Sequence, residues 1–170
     1  GGGVGLGDVD VDDALGAGDL ERTRSATQLM IRWGVVGGSV LAIIVLLARP
    51  WLPMLFTSDP AVRSAIEAAL VIVALGQPLS GYVFVVDGVL IGAGDNRWLA
   101  GAMVANLIAY LPLVLGVHLL GPWLLSDPDP LRGQANAITW LWLAFTGFMA
   151  IRGTLFWLRV RTDRWMVTGI

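Results

Sequence analysis

The sequence contains no cysteine and no lysine, and its single histidine is His118. The lack of cysteine excludes disulfide bonds, thiolate metal ligands and cysteine nucleophiles. One histidine cannot form a two-histidine metal site within the chain, so we expect neither a bound metal nor a cofactor. Charged residues make up only 14%, against roughly 25% in an average soluble domain. With a net charge of −2, the chain also lacks the electrostatic footprint of a nucleic-acid-binding protein.

Hydrophobic residues, in contrast, make up 56% of the 170 residues, more than one soluble core of this size can bury. Charge-free runs of 16, 19, 29 and 19 residues occur at 33–48, 68–86, 98–126 and 133–151. A helix needs about 20 mostly apolar residues to cross a bilayer. A buried bundle in a soluble protein is the alternative, but its helices would be shorter and carry a polar stripe. The runs therefore predict an all-α membrane protein with four transmembrane helices near 29–49, 64–87, 97–120 and 135–158.

Turn-forming residues separate the four runs. Asp59 or Ser58 can cap the second helix, with Pro60 at its first position. Gly121-Pro122 is expected to end the third helix, and the 127–130 segment (Asp-Pro-Asp-Pro) is typical of a rigid loop.

Four spans place both termini on one side of the membrane. Eight arginines then lie on the side of the termini, and three lie on the other side: Arg49, Arg63 and Arg132. Because basic residues concentrate in cytoplasmic loops, both termini are predicted to be cytoplasmic, in a multi-pass protein of the plasma (inner) membrane.

The first 27 residues form a separate Gly/Asp-rich cytoplasmic segment ahead of the transmembrane region, 28–170. Its aspartates do not follow the spacing of an EF-hand loop, so a solvated tail is expected. Within it, Gly-Ala-Gly-Asp occurs once and then recurs before the third helix, which indicates two cytoplasmic turn motifs: Gly16, Gly18 and Asp19, and Gly92, Gly94 and Asp95. The glycines permit a tight turn, and each aspartate can cap the next helix or pair with a nearby arginine.

Several polar residues in the predicted spans are candidates for transport or coupling. Asp87 ends an apolar run, where a carboxylate is a functional candidate by default; alternatively, it faces water or pairs with Arg97. Gln77-Pro78 lies in mid-span, and the proline kinks the helix, either at a cavity or in simple packing.

Two further polar residues and one basic residue complete the set of candidates. Asn106 and Tyr110 are four residues apart and share a helix face, where they either line a cavity or join two helices. Arg152 is interpreted as part of a cytoplasmic anchor for anionic lipid.

The order and spacing of several segments resemble the multidrug and toxic compound extrusion (MATE) transporters, and in particular their DinF-like branch. The segments are LGAGDLER at 15–22, LFTSDPAV at 55–62, Gln77-Pro78, DGVLIGAGDNR at 87–97 and RTDRW at 161–165. The resemblance implies helices nine to twelve, in the second lobe of a twelve-helix protein whose N-terminal lobe would be a missing partner. It implies a C-terminal fragment of an antiporter that exports drug-like organic cations or amphipathic compounds, coupled to protons or sodium. Where the sodium-coupled branch has an acidic residue in helix ten, this sequence has Ser80.

Two other classes of protein remain as alternatives. A small four-helix membrane subunit would act as an oligomer or assembly partner, but small drug exporters need an acidic residue in the first span, and 33–48 has none. A membrane enzyme is the other alternative, because Asp87-Gly88 is similar to the start of the metal-binding motif of lipid head-group transferases. The remaining aspartates of that motif are missing, so no catalytic residue is assigned and the chain is not expected to be an enzyme.

Overall fold

The computed structural model describes residues 20–166, which form four long helices and no strand. These are α1 (Leu20–Ala48), α2 (Pro60–Gly92), α3 (Asn96–Leu124) and α4 (Pro130–Val160), with short 3-10 turns at Leu52–Leu55 and Asp163–Trp165. Each of the four helices is long and apolar enough to cross a membrane. The predicted all-α class with four spanning helices is therefore confirmed.

Each helix is longer than the sequence predicted. The 33 residues of α2 extend for about 50 Å at 1.5 Å per residue, well beyond a hydrocarbon core of about 30 Å. The expected end of the third helix at Gly121-Pro122 is wrong, because α3 continues to Leu124. A proline lacks only its own N–H and has a φ angle that suits a helix. The backbone hydrogen bond at the end of the helix is intact, since the Leu125 amide donates to the Gly121 carbonyl at 3.0 Å.

Two helices begin at an aspartate-proline pair. The Asp59 side chain accepts a hydrogen bond from the Ala61 amide at 2.8 Å, and Pro60 is the first helical residue of α2, as predicted. At α4, Asp129 accepts in the same way from Leu131 at 3.0 Å. Each carboxylate satisfies an amide that has no partner within the helix, so both starts are fixed by local chemistry.

The helices lie side by side in the order α1, α2, α4, α3, which differs from their order in the sequence. Although α3 follows α2 after a turn of three residues, it packs mainly on α4. Parallel packing brings α2 and α4 together, and the densest part of the core lies between them, around Val83, Val86 and Phe156. The interface between α2 and α4 is therefore the centre of the described chain.

Large apolar side chains cover the outside of this bundle. Leu47 on α1 is 67% exposed and Leu119 on α3 is 75% exposed, and many neighbouring leucine, isoleucine and valine side chains are similar. An apolar surface of this extent is unfavourable in water and favourable in lipid or against further helices. The chain is a multi-pass membrane protein.

Candidate functional site

A groove of about 280 Å³ opens between α2 and α4 near the middle of both helices. Its lining is mainly apolar and aromatic, with three polar side chains: Gln77, Ser80 and Thr146. The Thr146 hydroxyl donates to the Trp142 carbonyl of its own helix at 2.9 Å. The Gln77 amide and the Ser80 hydroxyl make no hydrogen bond to another residue within 20–166. An apolar cleft with a few unused polar groups is typical of a small-molecule site.

Pro78 lies inside α2 beside this groove, on the flank of α2 that faces α1. A proline in a helix leaves the carbonyl four residues earlier without its amide partner, which weakens the helix there. Gly38 of α1 packs directly against the Gln77 carbonyl and the Pro78 Cα. One turn away, a Cβ atom added at Gly34 would lie 2.7 Å from the Gly81 carbonyl oxygen. The two backbones are therefore in contact next to Pro78, where α1 supports α2.

Asp87 forms an ion pair with Arg152 at one end of the α2–α4 interface. The Arg152 Nη2 donates to the Asp87 Oδ2 at 2.8 Å, and the two side chains are only 12% and 20% exposed. The Arg152 guanidinium also lies 5.2 Å from the centre of the Phe156 ring. The suggested pairing of Asp87 with Arg97 is therefore wrong. Arg152 is directed into the bundle towards a carboxylate, so its interpretation as a lipid anchor is also wrong.

A second, stronger pair lies at the turn between α2 and α3. Arg159 donates to both carboxylate oxygens of Asp95, at 2.7 and 3.0 Å, and stacks over Trp98. Asp95 makes no side-chain cap to α3, so of the two predicted roles it takes the arginine pair. Gly94 has φ +72°, a conformation that requires glycine, while Gly92 is the last residue of α2. The equivalent residues of the other turn motif, Gly16, Gly18 and Asp19, lie outside the described residues.

Together the two pairs, Asp87–Arg152 and Asp95–Arg159, hold the same ends of α2 and α4; we call them the charge clamp. Arg152 and Arg159 are seven residues apart, about two turns of α4, while Asp87 lies in the last two turns of α2 and Asp95 lies in the turn that follows it. Bidentate arginine–carboxylate contacts are among the stronger polar interactions in proteins. The charge clamp thus fixes one end of an interface whose middle contains an open groove.

Asn106 and Tyr110 both lie on the side of α3 that packs against α4, away from the groove. The Tyr110 ring meets Phe148 edge to face at 5.1 Å. Asn106 is 1% exposed, and neither atom of its amide group has a hydrogen-bond partner among the described residues. Within the described part of the chain, Asn106 therefore does not join two helices by a hydrogen bond.

Two features of this site were missed from the sequence. Arg152 and Arg159 are seven residues apart and Asp87 and Asp95 are eight apart, and these similar spacings could have indicated the charge clamp. Gly34 and Gly38 form the small-xxx-small pattern of close helix pairs in membranes. No three acidic or histidine side chains within 20–166 come close enough together to hold a metal ion.

Comparison with known proteins identifies the family. Residues 11–118 match the MatE family, which is nearly two thirds of the chain. The chain is 29% identical over 144 residues to Protein DETOXIFICATION 42 of Arabidopsis thaliana, covering 85% of this chain and 25% of that protein. It is 27% identical over 114 residues to Multidrug and toxin extrusion protein 1 of Pongo abelii, covering 66% of this chain and 20% of that protein.

The chain thus spans only about a fifth to a quarter of the length of the curated relatives it matches. No solved structure matches it significantly. The four spanning helices and the match over residues 11–118 agree with the resemblance seen in the sequence. The chain belongs to the MatE family.

Proposed function

We propose that this chain forms part of a membrane transporter that exports drug-like organic cations or other amphipathic compounds. Membership of the MatE family supports a transport role, and one relative of this chain carries multidrug and toxin extrusion in its name. The observation that carries the proposal is the α2–α4 groove. Its aromatic walls suit an apolar cation, and its two unused polar groups, on Gln77 and Ser80, lie next to Pro78 in the sequence of α2.

In this proposal the charge clamp and Pro78 have different roles in the conformational change. The clamp holds the ends of α2 and α4 together, while the weakened hydrogen bonding at Pro78 lets the middle of α2 bend. Bending there would widen or narrow the groove without separating the clamped ends. Gln77 would contact the substrate, and Pro78 would act as the hinge.

Export of this kind would be coupled to protons or sodium ions. Asp87 is the coupling candidate on α2, because it lies three residues beyond the groove residue Phe84 and its Oδ1 has no hydrogen-bond partner among the described residues. Ser80 lies in the groove wall without a carboxylate, which favours a coupling residue elsewhere on the chain or in a partner lobe. Asn106 and Tyr110 would form a second polar contact surface between α3 and α4.

For the whole protein, we propose that the chain corresponds to helices nine to twelve and packs against a missing N-terminal lobe. Both termini would face the cytoplasm, and the protein would reside in the plasma membrane. The arginine distribution supports this orientation, because eight of the eleven lie at the end that carries the termini.

Export of ethidium, a lipophilic organic cation, tests the proposal in cells that carry the full protein. We expect Gln77→Leu to reduce export several-fold, because the substitution removes the main polar group of the groove while keeping its volume. Gln134→Leu, at an exposed position on α4, is the matched control and should leave export unchanged. Equal export by the Gln77→Leu variant and the wild type, at equal protein levels, would exclude the groove from the substrate path.

A further inference from the structure

A second and larger cavity, of about 550 Å³, lies at the end of the bundle that carries the termini. We call it the terminal cavity. It is enclosed by the start of α1, by α2 and by the end of α4 with the segment that follows it. The residues that matter for its chemistry are Arg24, Thr27, Tyr82, Trp157, Arg161 and Trp165. The transport proposal uses none of them.

The lining of the terminal cavity is basic and aromatic. Arg24 at the start of α1 and Arg161 just after α4 both line it, and none of the described lining residues is acidic. The Arg161 guanidinium stacks over the Trp157 ring at 4.3 Å, which holds it at the rim. A cavity between membrane helices with this charge attracts an anion.

One buried hydroxyl in the same cavity lacks a partner. Thr27 is 2% exposed, and its Oγ1 makes no hydrogen bond to any residue that the structure describes. A buried polar atom without a partner is unfavourable, so such atoms mark places where a ligand or water completes the bonding. The Thr27 hydroxyl can donate to an anionic oxygen that Arg161 binds.

The cavity also has the surroundings of a lipid headgroup. It lies at the ends of membrane-spanning helices, and it contains two tryptophans, the residue type that concentrates at the membrane–water interface. Apolar side chains complete the wall, namely Ile31, Val160 and Met166. A soluble anion would gain nothing from this apolar wall, whereas the glycerol and acyl carbons of a lipid would pack on it.

From these observations we infer that the terminal cavity binds the headgroup of an anionic phospholipid. Arg161 binds the phosphate, Thr27 donates a hydrogen bond to it, and the tryptophans flank the glycerol region. This site is separate from the α2–α4 groove. A lipid bound there would contact both α1 and the end of α4. Within the described chain, α1 packs mainly on α2, and α4 packs on α2 and α3.

Native mass spectrometry of the full chain tests this inference, with equal amounts of dioleoyl phosphatidylglycerol and dioleoyl phosphatidylcholine. Both lipids carry a phosphate, but only phosphatidylglycerol is anionic. We expect phosphatidylglycerol to be retained in preference. Arg161→Gln should lower that preference about fivefold, the effect of one basic residue near an anionic headgroup. Thr27→Val, which keeps the shape and removes the hydroxyl, should lower it about threefold.

Three comparisons keep the experiment decisive. Arg161→Lys keeps the charge and should retain most of the preference, which separates binding from misfolding. Arg132→Gln, at the opposite end of the bundle, should have no effect. Equal retention of both lipids by the wild type, or an equal loss in the Arg132 and Arg161 variants, would overturn the inference. Displacement of the lipid by millimolar glycerol phosphate would overturn the assignment to a lipid, since the apolar wall would then contribute nothing.

Discussion

At the scale of single residues, the buried charges are the most informative feature. Asp87 and Arg152 are mostly withdrawn from solvent, and each keeps one buried polar atom without a partner, Oδ1 and Nε respectively. Removing one partner of such a pair leaves an uncompensated charge, which is more harmful than removing both. The pair therefore holds α2 to α4 mainly because neither charge is tolerated there alone.

We expect Asp87→Asn and Arg152→Gln each to lower the free energy of unfolding by about 2 kcal/mol, while the double variant loses less than the sum of the two. The measurement is unfolding of the full chain in detergent, read as a double-mutant cycle. Arg132→Gln breaks an exposed contact, at 3.6 Å to Asp129 with the arginine side chain 79% exposed, and should change little. Additive losses in the cycle would show that the charge clamp does not couple the two residues.

The sequence identified both aspartates of the charge clamp but neither of their partners. Asp87 and Asp95 stand out because they adjoin apolar runs, which is a local property. Their arginines lie more than sixty positions later, on a helix whose neighbours cannot be read from its own composition. The sequence suggested Arg97 as a partner for Asp87 because the two are close along the chain. Asp87 instead pairs with Arg152, because α2 and α4 pack in parallel.

At the scale of helices, the closest packing is the contact between α1 and α2. Gly34 and Gly38 on one helix meet Gly81 and Pro78 on the other, with backbone against backbone. In a bilayer, close packing of this kind replaces the hydrophobic effect as the force between helices. The pair thus depends on the absence of side chains at a few positions.

Adjacent glycines on α1 allow a matched test of that contact. We expect Gly38→Ala to destabilise the protein by about 1–3 kcal/mol, because its Cβ would collide with the Gln77 carbonyl. Gly37 has nothing within 4 Å of its added Cβ, so Gly37→Ala should be neutral or stabilise by up to about 1 kcal/mol through helix propensity. Unfolding in detergent measures both variants. If both variants had the same stability, the close approach of α1 and α2 would not exist in the protein.

The number of helices and their starts were predictable, because charge spacing and aspartate-proline caps act within a few residues. Their lateral order was not predictable. All four helices are apolar on every side, so no hydrophobic stripe indicates which helix faces which, and α3 packs on α4 although it follows α2. For the same reason, the sequence predicts that Gln77 lies at mid-span but does not predict the groove that Gln77 lines.

At the scale of the whole molecule, the described helices form a row with broad apolar faces. Leu47 on α1 and Leu119 on α3, the two outer helices of the row, are mostly exposed. The chain covers a quarter or less of the length of DETOXIFICATION 42 and of the Pongo abelii protein, and these faces are suited to contact with further helices as well as with lipid. The proposed transport and the proposed lipid binding both require these faces to lie within a bilayer.

Sided labelling of introduced cysteines tests that central claim most directly, and the natural chain contains no cysteine to interfere. Exposed positions are available in both long connections, Ser58 and Ser126, and after α4 at Thr162. In intact cells, a membrane-impermeant maleimide should label Ser58→Cys and Ser126→Cys and should reach Thr162→Cys only after permeabilisation. Labelling of Ser58→Cys and Ser126→Cys from opposite sides would contradict the four-span arrangement and the functions built on it.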